Sequence, residues 1–526
     1  MGNPAEVYAY GSQWFATTFG VALGIFSAML IFVPFFHKLQ LSSIFEYFEM
    51  RYRSKSVRIL GSVSFILQQV LYMTVALYAP VIAVSSVTPF HEWTAILVAG
   101  SICTVYTAIG ALKGVIWTDV LQVFIMFAGL LLINIYGTVV VGGASKVWDI
   151  ASQYQRDQIF NFSSDVYERH TFWKLVVHFW ISWMVAHGCN PPAAQRYCSL
   201  KKVSTAFKAY LWNAILTIIL WVLATFSGLV VFANYADCDP LKAGIITKQD
   251  QIIPYYVLDE LGHVHGFPGI FLACLFSGAL STLSSGLNSL AAVTYVDGVM
   301  LTSWKGRITE FQAIVLTKFF ALGYGIIVIA LSFVLSKMEL GVTTIATIFA
   351  SMTQSPLAAV FIASMYLPFV NKYGAFMGLL VGMGMTGWLG IGARVHGVPP
   401  EPPLPSSVGG CFHNATLVPS AAFYSNLTSF TLSDPTPTQS PYPHVYDMSY
   451  LMLTPIGFSS ALVTCIVVSL VTGGYSLAHL DDTLIAPTAL RWYKKLRGVA
   501  LSTRKPSLKD IPNPLTDSFD DREKKS

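Results

Sequence analysis

Residues 270–293 read IFLACLFSGALSTLSSGLNSLAAV: a run without one charged side chain, apolar at both ends, yet holding six hydroxyls in its middle. As an α-helix rising 1.5 Å per residue, such a run is long enough to cross roughly 30 Å of hydrocarbon. A membrane helix that places hydroxyls against lipid loses several kcal/mol, so these must face an interior. Comparable apolar runs lie near residues 14–36, 59–87, 94–111, 115–141, 173–190, 208–233, 267–292, 312–335, 343–369, 374–392 and 452–473. They predict an all-α polytopic membrane protein with about eleven transmembrane helices. The 526-residue chain is only 11% charged with a mean hydropathy of +0.58, far from the roughly 25% charge of soluble domains.

Charge placement sets the expected orientation. Lys38, Arg51, Arg53, Lys55 and Arg58 crowd the loop of residues 37–58, and Arg196, Lys201 and Lys202 the loop of residues 191–207. Positive loops stay inside. Eleven spans then put the N-terminus and residues 142–172, 234–266 and 393–451 outside, with residues 474–526 as a cytoplasmic tail after a transporter domain spanning 1–473. The sequons at Asn161, Asn414 and Asn426 all fall in loops assigned outside, where glycosylation occurs. The oxidising exterior also makes Cys238 and Cys411 a candidate disulfide, with two free thiols as the alternative. The opening MGNPAEVYAYGSQ lacks the basic segment and cleavage site of a signal peptide. The small charge excess of +5 reads as topology, not nucleic-acid binding.

At 3.6 residues per turn, Gly278, Ser281, Thr282, Ser285 and Asn288 share one stripe. Two readings fit: close helix packing through small residues, or a cation site in which hydroxyls and a carbonyl replace the hydration of sodium. The break at GCNPPAAQRY, residues 188–197, either ends a span or exposes unpaired backbone groups beside a cavity. Asp119, at the start of another span, either attracts a cation, pairs with Lys113 or stays solvated. Tyr72 and Trp183 either line a cavity or pack. His263 and His265 sit in an outside loop with no third ligand. No GxSxG, HExxH, P-loop or GxGxxG occurs in a credible context, nor does a potassium-filter sequence; neither an enzyme nor a cofactor is expected, sodium being the only metal.

Taken in order, GNPAEVYAYG, LQLSSIFEYFEMRY, GALKGVIWTDVLQ, DCDPL, FLACLFSGALSTLSSGLNSLAAVT and YDMSYL resemble the sodium/solute symporter family along nearly the whole chain. The branch that looks most similar contains sodium-coupled monocarboxylate, multivitamin and iodide transporters. The resemblance implies a LeuT-like fold of inverted five-helix repeats, here lacking the first helices, since the chain begins just after the broken first core helix of the family. It implies sodium-binding oxygens at Ser281, Thr282 and Gly278 with Ser284, Ser285 and Asn288 in support, and a sodium-coupling acid at Asp119. Cavity positions fall at Tyr72, Trp183 and Thr344. Thr17, Thr18 and Val21 occupy places where the branch varies residues facing the solute, and they differ from the iodide carrier. Two prolines stand in GCNPPAAQRY where the branch reads closer to GVNQ before QRY. The implied function is plasma-membrane symport of sodium with a small organic anion; the alternatives are a carrier of iodide or a neutral solute, and a short, non-transporting relative that regulates a full-length carrier.

Overall fold

The computed structural model describes residues 1–88, 90–109, 112–302, 307–337, 341–396, 402–412, 445–474 and 481–496. No strand occurs among them. A short buried helix α1 (Gly2–Tyr10) leads into α2 (Ser12–Leu39), which contains a 3-10 turn at its start and a π turn at Ala28–Phe32. There follow α3 (Glu46–Tyr52), α4 (Lys55–Val87), α5 (Glu92–Ile109), α6 (Leu112–Val141) and α7 (Ala144–Gln153). Next come α8 (Phe172–Gly188), α9 (Pro191–Cys198), α10 (Val203–Asn234), α11 (Ile252–Asp259) and α12 (Phe267–Val293). The chain closes with α13 (Glu310–Leu335), α14 (Val342–Tyr366), α15 (Lys372–Val395), α16 (Leu453–Val471) and α17 (Pro487–Leu496).

Each expected span falls on a helix, and among the described residues nine helices are long and apolar enough to cross a bilayer. The two expected spans outside that set lie on α5, with 18 residues, and α8, with 17. Helix α8 carries Lys174, His178 and His187 and ends where Asn190 turns extended (ψ 129°) ahead of Pro191 and Pro192, because the residue before proline is driven out of the α region. Boundaries elsewhere use ordinary stops. Gln40 and Arg53 end helices in the left-handed region, Thr309 and Gln312 form a reciprocal cap on α13, and Asn371 caps α15 by accepting from the Gly374 amide.

Helices α15 and α16 meet through small residues. A methyl group on Gly378 would lie 2.2 Å from Cys465 Sγ, one on Gly374 2.0 Å from Ser469 Oγ, and one on Gly382 2.8 Å from Ala461 Cβ. Backbone contact of this kind replaces the hydrophobic drive that lipid removes.

The connections gather into two sets. In one, Arg156 donates to the carbonyls of Tyr8 (3.0 Å), Tyr154 (3.1 Å), Leu404 (3.2 Å) and Pro405 (2.6 Å) and stacks on Phe232. Burial pulls its guanidinium down to about 10, still protonated at neutral pH. Asp239 accepts from Tyr8 and Ser406 in the same region, so residues 142–172, 234–266 and 402–412 share one end. In the other set, Arg51 donates to the carbonyls of Ser364 (3.1 Å) and Pro368 (2.9 Å), Tyr47 to Leu484, and Arg58 pairs with Asp297 and Glu49.

Replacing Arg156 by Met keeps bulk and removes the donors to four carbonyls. The purified protein should lose about 2–3 kcal/mol of stability, read as a lower midpoint in thermal unfolding. An unchanged midpoint would show that water satisfies those carbonyls equally well.

Candidate cation and solute sites

The hydroxyl stripe of α12 meets α6 and α9. Ser281 Oγ donates to Asp119 Oδ1 at 2.5 Å. Arg196, from α9, places Nη2 3.0 Å from Asp119 Oδ2 and 2.9 Å from Ser285 Oγ. Three elements far apart in sequence thus close one polar cluster. Thr282 Oγ1 donates to the Gly278 carbonyl at 2.9 Å, and Ser284 to the Ser281 carbonyl at 3.2 Å. A hydroxyl that donates keeps its lone pairs, so Ser281 and Thr282 each retain acceptor capacity for a hard cation, whereas Ser285 already accepts from Arg196. Asn288, one turn further, is half-buried. Lys113, the other partner considered for Asp119, has its side chain outside the described residues.

Among the cavity positions, Tyr72 behaves unlike a packing residue. Ile59, Val63 and Leu67 form an exposed stripe on α4, 42–53% accessible, on what is the lipid side of a spanning helix. Tyr72 stands two and a half turns beyond Val63, on the opposite face, and is still 45% exposed. Its ring is therefore not closed in by neighbouring side chains. Gln68 and Gln69 flank it, both buried, and Gln69 Nε2 lies against Gly286 of α12.

Thr17 requires a correction. It is fully buried, and its hydroxyl donates to the Trp14 carbonyl (2.7 Å) while accepting from Trp221 Nε1 (2.7 Å), so it faces helix packing instead of a cavity. Thr18 is buried beside it, its Oγ1 with no partner among the described residues. Trp183 is half-buried, stacked on His187 at 5.1 Å and edge-on to Trp221 at 5.2 Å. Thr344 sits elsewhere, accepting from Arg169 (3.4 Å), which also pairs with Glu6 at 2.9 Å and lies over the rings of Tyr10 and Tyr450. Neighbouring His170, in the same loop, is held well below its usual range by burial and by Arg169 and Lys174, and is neutral at physiological pH.

Cys238 and Cys411 are joined as a disulfide, Cα to Cα 4.8 Å. Asn161 is half-buried with its amide nitrogen bonded to Glu168; Asn414 and Asn426 lie outside the described residues. Three residues of these sites escaped the sequence reading. Arg196 counted only as loop charge, although its place two residues before the end of the PPAAQRYC helix was visible. Gln68 and Gln69 carried the plainer signal of two adjacent amides inside an apolar span.

Residues 1–382 match the Sodium:solute symporter family. The chain is 36% identical over 508 residues to the sodium-dependent multivitamin transporter of Oryctolagus cuniculus, covering 94% of this chain and 78% of that protein. It is 35% identical over 486 residues to sodium-coupled monocarboxylate transporter 1 of Homo sapiens, covering 90% and 78%. Its fold is similar to that of a sodium-coupled sialic acid symporter solved in a substrate-bound outward-open state, with a TM-score of 0.70, 20% identity, and coverage of 91% of this chain and 87% of that one. The chain is a multi-pass membrane protein, not an enzyme, and belongs to the sodium:solute symporter family.

Proposed function

We propose that this protein imports a small organic anion, a monocarboxylate or a vitamin-like acid, across the plasma membrane together with sodium. The observation that carries the reading is the cluster of Ser281, Asp119, Ser285 and Arg196. Sodium takes the lone pairs of Ser281 and Thr282 and the Gly278 carbonyl, with Asp119 balancing its charge. Without sodium, Arg196 neutralises Asp119 as a tethered cation. Its side chain is 61% exposed, and an exposed ion pair is worth about 1 kcal/mol at most, so sodium displaces it at small cost. Tyr72, exposed on the face of α4 opposite the Ile59, Val63, Leu67 stripe, offers a phenolic donor to a carboxylate, and the named solutes of the relatives, vitamins and monocarboxylates, agree with an anion. Binding of sodium and solute biases the equilibrium between outward and inward states only through their differential affinity for the two.

The proposed orientation puts the N-terminus and the Arg156 end outside and the Arg51 end, with the tail, in the cytoplasm. The supporting fact is that the basic loops cluster at one end of the bundle and the sequon-bearing and cysteine-bearing loops at the other. Asn161, Asn414 and Asn426 are the proposed glycan sites.

Cells expressing the protein should take up labelled lactate, nicotinate or biotin in a sodium-dependent way. Uptake indifferent to sodium would sink the coupling, iodide or sugar uptake would reassign the solute, and surface-expressed protein without uptake would favour a regulatory relative. Ser281→Ala should raise the sodium concentration for half-maximal uptake about tenfold, the worth of one hydrogen-bonding oxygen beside a carboxylate.

Arg196→Gln should lower that sodium concentration about fivefold, as removal of a competing cation requires, and should do so only while Asp119 is present. A rise instead would mean that Arg196 shapes the site and does not compete for it.

A further inference from the structure

Beyond the last spanning helix, the chain returns to the bundle and is pinned there. Leu484, Ile485 and Ala486 are 5%, 2% and 4% exposed. Tyr47 Oη donates to the Leu484 carbonyl at 3.0 Å, and the Ala486 amide to the Met365 carbonyl at 2.9 Å. Helix α17 starts from this anchor. Its half-buried residues are Ala489, Leu490 and Tyr493, which continue the buried Ala486 at the i, i+3, i+4, i+7 spacing of one helix face. That face is used up by the bundle.

The opposite stripe has the same spacing and different chemistry. Thr488, Arg491, Trp492 and Lys495 are all exposed, and Trp492 is 71% accessible, a large indole held outward on an anchored helix. A lone exposed leucine would need no explanation. A tryptophan set between two cations does, because indole rings concentrate at the headgroup level of membranes and lysine and arginine there attract anionic lipid. The stripe stands at the end of the bundle where Arg51, Arg53, Lys55 and Arg58 also lie, so an adjoining bilayer surface is within reach.

We propose that the Thr488, Arg491, Trp492, Lys495 face of α17 docks on anionic phospholipid headgroups of the leaflet adjoining this end. Under the orientation proposed above, that leaflet is the cytoplasmic one, where anionic lipid is concentrated. The two cations take phosphate or carboxylate oxygens, and the indole enters the interfacial layer between them.

The test uses the full chain in lipid nanodiscs, with a nitroxide on Thr488→Cys and the half-buried Cys198 changed to Ser; the remaining free cysteines are buried. In discs containing phosphatidylserine, the label should be accessible to oxygen and shielded from a water-soluble nickel chelate, and in pure phosphatidylcholine it should face the nickel. Arg491→Gln with Lys495→Gln should weaken headgroup association about 30-fold and return the label to water, and Trp492→Ser should do so in part. A label open to nickel in every lipid overturns the proposal. So does one shielded from both reagents whatever the lipid, which would mean a protein contact. Labelling of Thr488→Cys in intact cells by an impermeant thiol reagent reads orientation separately: reaction from outside would reverse the topology and leave the lipid test standing.

Discussion

Carbonyl groups left over at helix ends are the constraint on which this structure rests. Buried inside the protein they need a partner, and the polypeptide answers with two buried arginines, Arg51 and Arg156, which are 0% and 1% exposed. A guanidinium offers five donors in a rigid fork and remains charged under burial. Arg51 spends them where α14 turns into α15, and Arg156 where the end of α1 meets residues 404 and 405. Each end of the bundle is thus tied by one side chain to several connections at once. The spanning helices between them need only pack.

Packing in turn decides what the polar stripe of α12 can face. Small residues let α4 come close, so that Gln69 and Met73 lie against Gly286, while α6 brings Asp119 and α9 brings Arg196. The cluster is a product of helix breaks as much as of helices: Arg196 reaches Ser285 because Pro191 and Pro192 start a new short helix in a new direction. Its one carboxylate, Asp119, is balanced by the exposed Arg196, and the Ser281 and Thr282 oxygens remain capable of a second engagement.

Much of this was legible in the chain. The apolar runs gave the helices, and the i, i+3, i+4 spacing gave the stripe, since both are local properties. What stayed hidden was pairing at a distance. Asp119 and Arg196 are 77 residues apart and Arg196 and Ser285 are 89 apart, and no local pattern says that a cation on one helix closes a site on another. Thr17 misled for a related reason: its hydroxyl looked available until Trp221, from a helix two hundred residues on, was found to occupy it. Span ends were less legible, as where α8 stops ahead of its proline pair.

The seam between α15 and α16 has a mechanical meaning. Gly374, Gly378 and Gly382 recur once per turn, and each takes a bump of the partner helix into backbone contact. Sliding one helix along the other would lift every bump out of its notch together, and the next matching register lies a full turn away, about 5.4 Å. Small shears of an ångström or two, common between helices that meet through flexible side chains, have no low path here. These two helices travel as a single strut, and whatever rearrangement carries the protein through its cycle must hinge at other boundaries.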